Sequence, residues 1–223
     1  LETIIFEENS SLTSIGESVF SGASSLTSIV VPNSVTSIGL YAFTYSGLET
    51  ITFEENSSLT IIDSYAFAYA TSLTSIIIPD SITSIGSFAF EGTSSLTTIE
   101  FEENSQLTSI GYAAFYDASS LTSIEIPDSV TSIGESAFSG ASSLTSIVIP
   151  NSVTSIGSSA FHGTSSLTSI TIPFVGQSRT ATYNYAQIGY LFGYSSYPGS
   201  YKAGEYYIPN YLTEVIITDA TSI

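Results

Sequence analysis

Between residues 1 and 166 the apolar positions return in one phrase of 22 to 25 residues, repeated seven times. Each phrase opens on Leu-x-x-Ile followed two residues later by Ile, Val or Phe, and it closes on Phe preceded by Ala or Val. The phrases start at Leu1, Leu26, Leu48, Leu73, Leu96, Leu121 and Leu144; an eighth opens at Leu167 and, after an interruption, a ninth at Leu212. The first eight starts are separated by 25, 22, 25, 23, 25, 23 and 23 residues. A fixed period of this length predicts a solenoid. One coil has too little apolar surface to offset the entropy of ordering it, so stacking coils on one another is the fold itself.

Aligning the phrases separates slots fixed by the fold from slots left free. The inward slots of the opening strand are Leu1, Ile4 and Phe6, then Leu26, Ile29 and Val31, then Leu48, Ile51 and Phe53, continuing to Leu167, Ile170 and Ile172. Alternation with period two puts the residue between the last two of each set on the outside. A second short extended piece supplies Ile15, Ile38, Ile62, Ile85, Ile110, Ile133 and Ile156. A Gly follows each of these except Ile62, where Asp63 stands, which suggests a turn needing positive φ. Phe20, Phe43, Phe67, Phe90, Phe115, Phe138 and Phe161 are expected to stack as an internal ladder, with a small residue three positions later at the corner.

Composition narrows the class of partner. With 43% hydrophobic residues and 10% charged, the chain has ample core material and does not read as disordered. A net charge of −18 repels phosphate backbones and anionic lipid, which argues against nucleic acid and bare membrane as partners. There is no apolar run long enough for direct membrane insertion, and no leader segment or initiating Met, so the chain reads as a segment of something longer. The absence of Cys and Met removes disulfide and thiolate chemistry and suits an extracellular or cell-surface setting.

The phrase Leu-Thr-Ser-Ile-x-Ile-Pro, then Asp/Asn-Ser-Val-Thr-Ser-Ile-Gly and Ala-Phe, at 73–90, 121–138 and 144–161, resembles the BspA-like (Treponema-type) leucine-rich repeats of bacterial and some protist surface proteins. The resemblance covers about residues 1–173 and resumes at 212–223. One departure is the small corner slot, where the family usually has Cys and this chain has Ala, Ser or Thr. The resemblance implies a mainly β, right-handed leucine-rich-repeat solenoid with a parallel sheet, short second strands and brief helical turns at the Ala-Phe corner. It also implies cell-surface binding, commonly adhesion. One continuous solenoid is expected, with repeats over 1–173, a Tyr-rich insert over 174–211 and the start of a further repeat over 212–223.

Catalytic chemistry finds little support. His162 is the sole His, and its slot elsewhere holds Ser21, Thr44, Ala68, Glu91, Tyr116 and Ser139, which predicts an exposed turn; the Ser and Thr residues read as solvated strand and turn positions. No phosphate loop or metal signature appears, so no cofactor and no metal are expected. Glu7 with Glu8, Glu54 with Glu55, and Glu102 with Glu103 recur in alternate coils and line one ridge, either a solvated acidic edge or a calcium site. Asn9 and Asn56 open glycosylation sequons.

Two places read as partner-binding. On the sheet face the outward column changes from coil to coil through Ile77, Glu100, Glu125, Val148 and Thr171, while its neighbours stay Thr and Ser. Residues 174–211 hold nine of the 15 Tyr residues and both basic residues, and there Arg179, Tyr190, Phe192, Tyr194 and Lys202 are the candidates; a structural cover over the core is the other reading of this segment. The expected function is a non-enzymatic module that binds a protein or glycoprotein at a cell surface. The alternative is a fibre or stalk subunit assembling end to end, since Leu1 starts directly on a core strand and Ile223 stops just as a coil should turn, without capping coils.

Overall fold

A computed structural model describes residues 2–7, 10–181 and 187–219. The inward slot at Leu1, the acidic Glu8, the sequon at Asn9 and the terminal Ile223 lie outside them. Coils two to seven each contribute two parallel strands, and the first contributes the second short piece alone among the described residues. The opening strands Ser28–Val31, Thr50–Phe53, Ser75–Ile78, Thr98–Phe101 and Ser123–Ile124 form one parallel sheet. Ser146–Val148, Ser169–Ile172 and Glu214–Ile217 form a second. The short second pieces, two residues each from Ser14–Ile15 to Ser155–Ile156, make a seven-stranded parallel sheet. Their register pairs Ile with Ile, as in Ile15 with Ile38 and Ile133 with Ile156. A slip of one residue would turn that apolar row outward, so the register is held by burial.

The interior between the sheets is one cluster of buried residues running from Ile15 to Ile208. The Phe rings stack down it as the sequence predicts, with centroids 5.1 Å apart for Phe20 and Phe43, 5.2 Å for Phe67 and Phe90, and 5.6 Å for Phe138 and Phe161. A further inward slot lies in the turn between the two strands, where Val35, Leu59, Ile82, Leu107, Val130 and Val153 are fully buried.

The Ala-Phe corner corrects the expectation of brief helical turns. Alternate amides point in different directions: those of Ala42, Thr44 and Ser46 donate to the carbonyl three residues back, while those of Phe43 and Tyr45 donate to Ala66 and Ala68 of the next coil at 2.7 and 2.9 Å. A helix would turn every amide inward on itself and leave none to join coils. A 3₁₀ helix among the described residues, Ile188–Leu191, lies in the eighth coil.

Positive φ also falls elsewhere than predicted. The Gly after each inward Ile is not in the left-handed region; from Gly39 onward it is small because the coils touch there. A Cβ on Gly157 would stand 2.1 Å from the Glu135 amide nitrogen, and one on Gly134 would stand 2.5 Å from the Gly111 carbonyl carbon. The left-handed residues come two positions later, at Ser18, Tyr41, Tyr65, Phe88, Ala113, Ser136 and Ser159, and again six positions later, at Gly22, Tyr45, Tyr69, Gly92, Asp117, Gly140 and Gly163. Holding a residue with a Cβ in that region costs on the order of 1 kcal/mol.

Strand pairing alternates in strength. The second coil pairs with the third over four residues, Ser28–Val31 against Thr50–Phe53, and the fourth pairs with the fifth likewise. The third pairs with the fourth only through Thr50 and Ser75. Coils one, three and five have a turn two residues longer, Glu-Glu-Asn-Ser-Ser or Glu-Glu-Asn-Ser-Gln replacing Pro-Asn-Ser or Pro-Asp-Ser. That turn reaches back to the preceding coil: Glu54 Oε2 accepts from the Asn33 amide at 3.0 Å and Glu102 Oε2 from the Asp80 amide at 3.1 Å. The acidic ridge therefore joins coils two with three and four with five, giving Glu54 and Glu102 structural roles.

Candidate functional site

The variable column lies where the sequence places it. Val30 stands beside Thr52, Ile77 beside Glu100, Glu125 beside Val148 and Val148 beside Thr171, all in parallel register. Ile77 and Val148 are more than half exposed, Glu100 and Glu125 are exposed, and Thr171 is half-buried. The monotonous threonines nearby have a separate reason for their constancy. The hydroxyls of Thr97, Thr122 and Thr168 donate to the carbonyls of Thr74, Thr97 and Thr145 in the preceding coil, and a parallel ladder links Thr36, Thr60, Thr83, Thr108 and Thr131. These threonines are coil-to-coil connectors rather than simply solvated positions, and the outward column between the inward residues is free of that duty.

The column opens into a cleft at its middle. Pairing of the fifth and sixth coils stops at Ile99 with Ile124, immediately before Glu100 and Glu125 would stand opposite one another. The same break comes between coils three and four, where Thr52 and Ile77 would face, so it goes with the longer turn of coils three and five, and here it sets two carboxylates across a gap. The resulting cleft, about 880 Å³, is lined by Glu100, Glu102, Asn104, Glu125 and Asp128. No group of three or more metal-ligating side chains is brought together among the described residues.

The Tyr-rich segment divides between core and surface. Phe192 is 0% exposed and its ring lies 6.4 Å from Phe161, continuing the ladder; Tyr190 is 6% exposed. The amides of Ser159 and Phe161 donate to the carbonyls of Tyr190 and Leu191, as each earlier corner donates to the next. Tyr190 and Phe192 are thus interior residues of an eighth corner, which corrects the expectation that they face a partner. Arg179 is likewise occupied. Its Nε donates to Asp219 at 2.7 Å, Nη1 to the Val153 carbonyl at 2.9 Å and Nη2 to the Asn151 carbonyl at 2.8 Å, with the guanidinium over the Phe174 ring. Replacing Arg179 by Ala is expected to cost roughly 2 kcal/mol, with the ion pair discounted because both side chains are about a third exposed. Urea denaturation measures it, and Arg179→Lys, lacking the planar fork, recovers only part.

Of the candidates in this segment Tyr194 and Lys202 are exposed, and so are Tyr201 and Tyr211, which sequence reasoning did not single out. Lys202 and Tyr201 sit on a hairpin, Ser200–Ala203 against Tyr206–Pro209, turned by Gly204 at φ 66°. His162 anchors the segment rather than standing free: its Nε2 lies 3.1 Å from the Ser195 carbonyl and its ring meets Tyr197 edge-on.

A second set of exposed rings, also missed, lies at the corners of coils two to five, including Tyr41, Tyr45 and Tyr112. There the Tyr69 hydroxyl donates to Glu91 Oε1 at 2.7 Å, and this bond, with burial, pushes its pKa up to about 12.

Comparison with known proteins settles the family. The model of the BspA type leucine rich repeat region matches in six copies over residues 1–106 and 60–187. The chain belongs to the BspA-type leucine-rich repeat family. Among solved structures it is similar to the T. pallidum leucine-rich repeat protein TpLRR, at 30% identity and TM-score 0.52 over 66% of this chain and 64% of that one. It is also similar to a leucine rich cell surface protein from Faecalibacterium prausnitzii, at 26% identity and TM-score 0.50 over 79% of this chain and 60% of that one. The chain thus spans less than two thirds of either structure's length. No curated protein matches it. No helix among the described residues of this BspA-type chain is long and apolar enough to cross a membrane.

Proposed function

We propose that this BspA-type solenoid is a non-enzymatic binding module displayed at a cell surface, and that it grips a protein or glycoprotein with the variable column of its sheet face. The observation that carries the reading is the contrast on that face. Thr side chains beside the column are spent on joining coils, while Ile77, Glu100, Glu125, Val148 and Thr171 change from coil to coil and point outward. Exposed β-branched and acidic residues over a cleft give both apolar area and charge for recognition. The exposed Tyr194 and Lys202 are a separate candidate surface of the same module, Tyr194 packed on Tyr206 and Lys202 on the hairpin.

Joint replacement of Ile77, Glu100, Glu125 and Val148 by Ala is expected to leave unfolding nearly unchanged, since each side chain is exposed. It is expected to weaken capture of the cognate protein, in a panel of purified extracellular proteins and glycoproteins, by tenfold or more, on the order of 1.4 kcal/mol. Undiminished capture by that variant overturns the assignment of this face.

A further inference from the structure

We propose that the corner of coils two to five is a second docking surface, one for a cationic polypeptide segment whose Arg or Lys side chains lie against tyrosine rings. It is a different face from the sheet column, and the two stand or fall separately.

The distribution of tyrosine is the first observation. Every Tyr outside residues 174–211 lies at this corner: Tyr41, Tyr45, Tyr65, Tyr69, Tyr112 and Tyr116. The same turns in coils one, six and seven carry Ser18 and Gly22, Ser136 and Gly140, and Ser159 and Gly163. The scaffold therefore closes its corners without aromatics.

Backbone conformation makes the choice more pointed. Tyr41, Tyr45, Tyr65, Tyr69 and Phe88 all hold φ between 56° and 59°. Bulky side chains are outliers in that region, where Gly and Ser serve the neighbouring coils at less cost, and such outliers gather at functional sites.

The rings form two short columns. Tyr41 stacks on Tyr65 at 4.9 Å and Tyr65 on Phe88 at 4.7 Å, and Tyr112 then turns edge-on to Phe88. Beside them Tyr45 stacks on Tyr69 at 4.8 Å, and Tyr69 lies against Gly92, where a Cβ would come within 2.6 Å of its ring. Stacking covers the inner faces. Tyr45, at the head of its column, is 61% exposed, and a Cβ on Gly22 in the corresponding slot of coil one would meet no atom within 4 Å. A ring face is left open there.

Charge selects the occupant. Glu91, bonded to Tyr69, and Asp117, beside Tyr116, place carboxylates within the ring cluster. A net charge of −18 disfavours a second copy of this chain and any phosphate-bearing surface. A guanidinium or ammonium over a tyrosine face is attracted both to the ring and to the carboxylates, and tyrosine contributes contact area at low entropic cost. A neutral glycan would make no use of the charge.

The test is titration of the full chain with a synthetic Gly-Arg repeat peptide at about 50 mM salt, where exposed charges are screened only beyond roughly 14 Å. The comparison variant is Tyr41→Ser, Tyr45→Gly, Tyr65→Ser and Tyr69→Gly together, which copies residues this chain already uses in those slots and leaves the net charge unaltered. The variant is expected to unfold at the parent's midpoint or above it and to bind the peptide roughly tenfold more weakly. Should it misfold, Tyr45→Gly alone is expected to weaken binding about threefold. Alanine at Ile77 and Val148 is expected to leave peptide affinity unchanged, so failure of the sheet-face reading is recognised separately. Equal binding by the parent and the Tyr variant, no binding by the parent, or a Tyr-dependent loss confined to an oligosaccharide panel each overturns the proposal.

Discussion

Phe90→Ala is expected to cost about 4 kcal/mol and to break the cooperativity of the stack. The ring is fully buried and stacked between Phe67 at 5.2 Å and Phe115 at 5.3 Å. Truncating a buried Phe costs about 3–5 kcal/mol through lost transfer energy and the cavity left behind. In a solenoid each coil is held only by its neighbours, so a defect in the middle uncouples the coils on either side. Urea denaturation should resolve two transitions where the parent gives one. Phe20→Ala, at a partly buried ring stacked on Phe43, is expected to cost roughly half as much and leave a single transition. Equal costs at the two positions would show that the ladder does not couple the coils.

Gly157→Ala is expected to cost about 3 kcal/mol although it adds one methyl group. That methyl would stand 2.1 Å from the Glu135 nitrogen and 2.4 Å from its Cα, so coils six and seven would have to part. Overpacking of this kind costs about 1–3 kcal/mol even where side chains can yield, and here the obstacle is backbone. Gly22→Ala is the control. It lies at φ 69° with open space around it, so only the conformational strain remains, roughly 1 kcal/mol. Thermal unfolding of the two variants separates close approach from conformational freedom as the reason for glycine. A larger loss at Gly22 would reverse the assignment.

The sequence made the coils, their inward Leu and Ile slots and the Phe ladder plain, because each is a burial constraint repeated at a fixed period. The conformation of the corner was harder to read. A recurring Gly suggests positive φ, but the same residue also marks contact between backbones, and only the stacking of Gly134, Gly157 and their counterparts distinguishes the two. The left-handed residues were hidden because Tyr, Phe, Ser and Ala occupy them. In the interrupted eighth coil, Tyr190 and Phe192 looked like surface aromatics since the phrase around them is altered. Leu191-Phe192 nevertheless fills the place of Ala160-Phe161 one coil on. Arg179 looked available because nothing local pairs with it; its partners Asn151, Val153 and Asp219 lie 26 to 40 residues away. The tyrosines at the corner of coils two to five carried a legible signal, their confinement to those coils, which is visible only when the free slots are compared as closely as the fixed ones.

The account rests on coils joined into one stack that runs through the altered eighth coil. Native-state amide hydrogen exchange reads this directly at Phe43, Phe67, Phe90, Phe115, Phe138 and Phe161, whose amides each donate to the next coil. All six should exchange slowly, with Phe161, which donates to Leu191 at 2.8 Å, protected as strongly as Phe138. Exchange of Phe161 at the rate of an unprotected amide, with the other five slow, would show that the Tyr-rich segment does not complete the stack. Fast exchange at all six would contradict the stack itself.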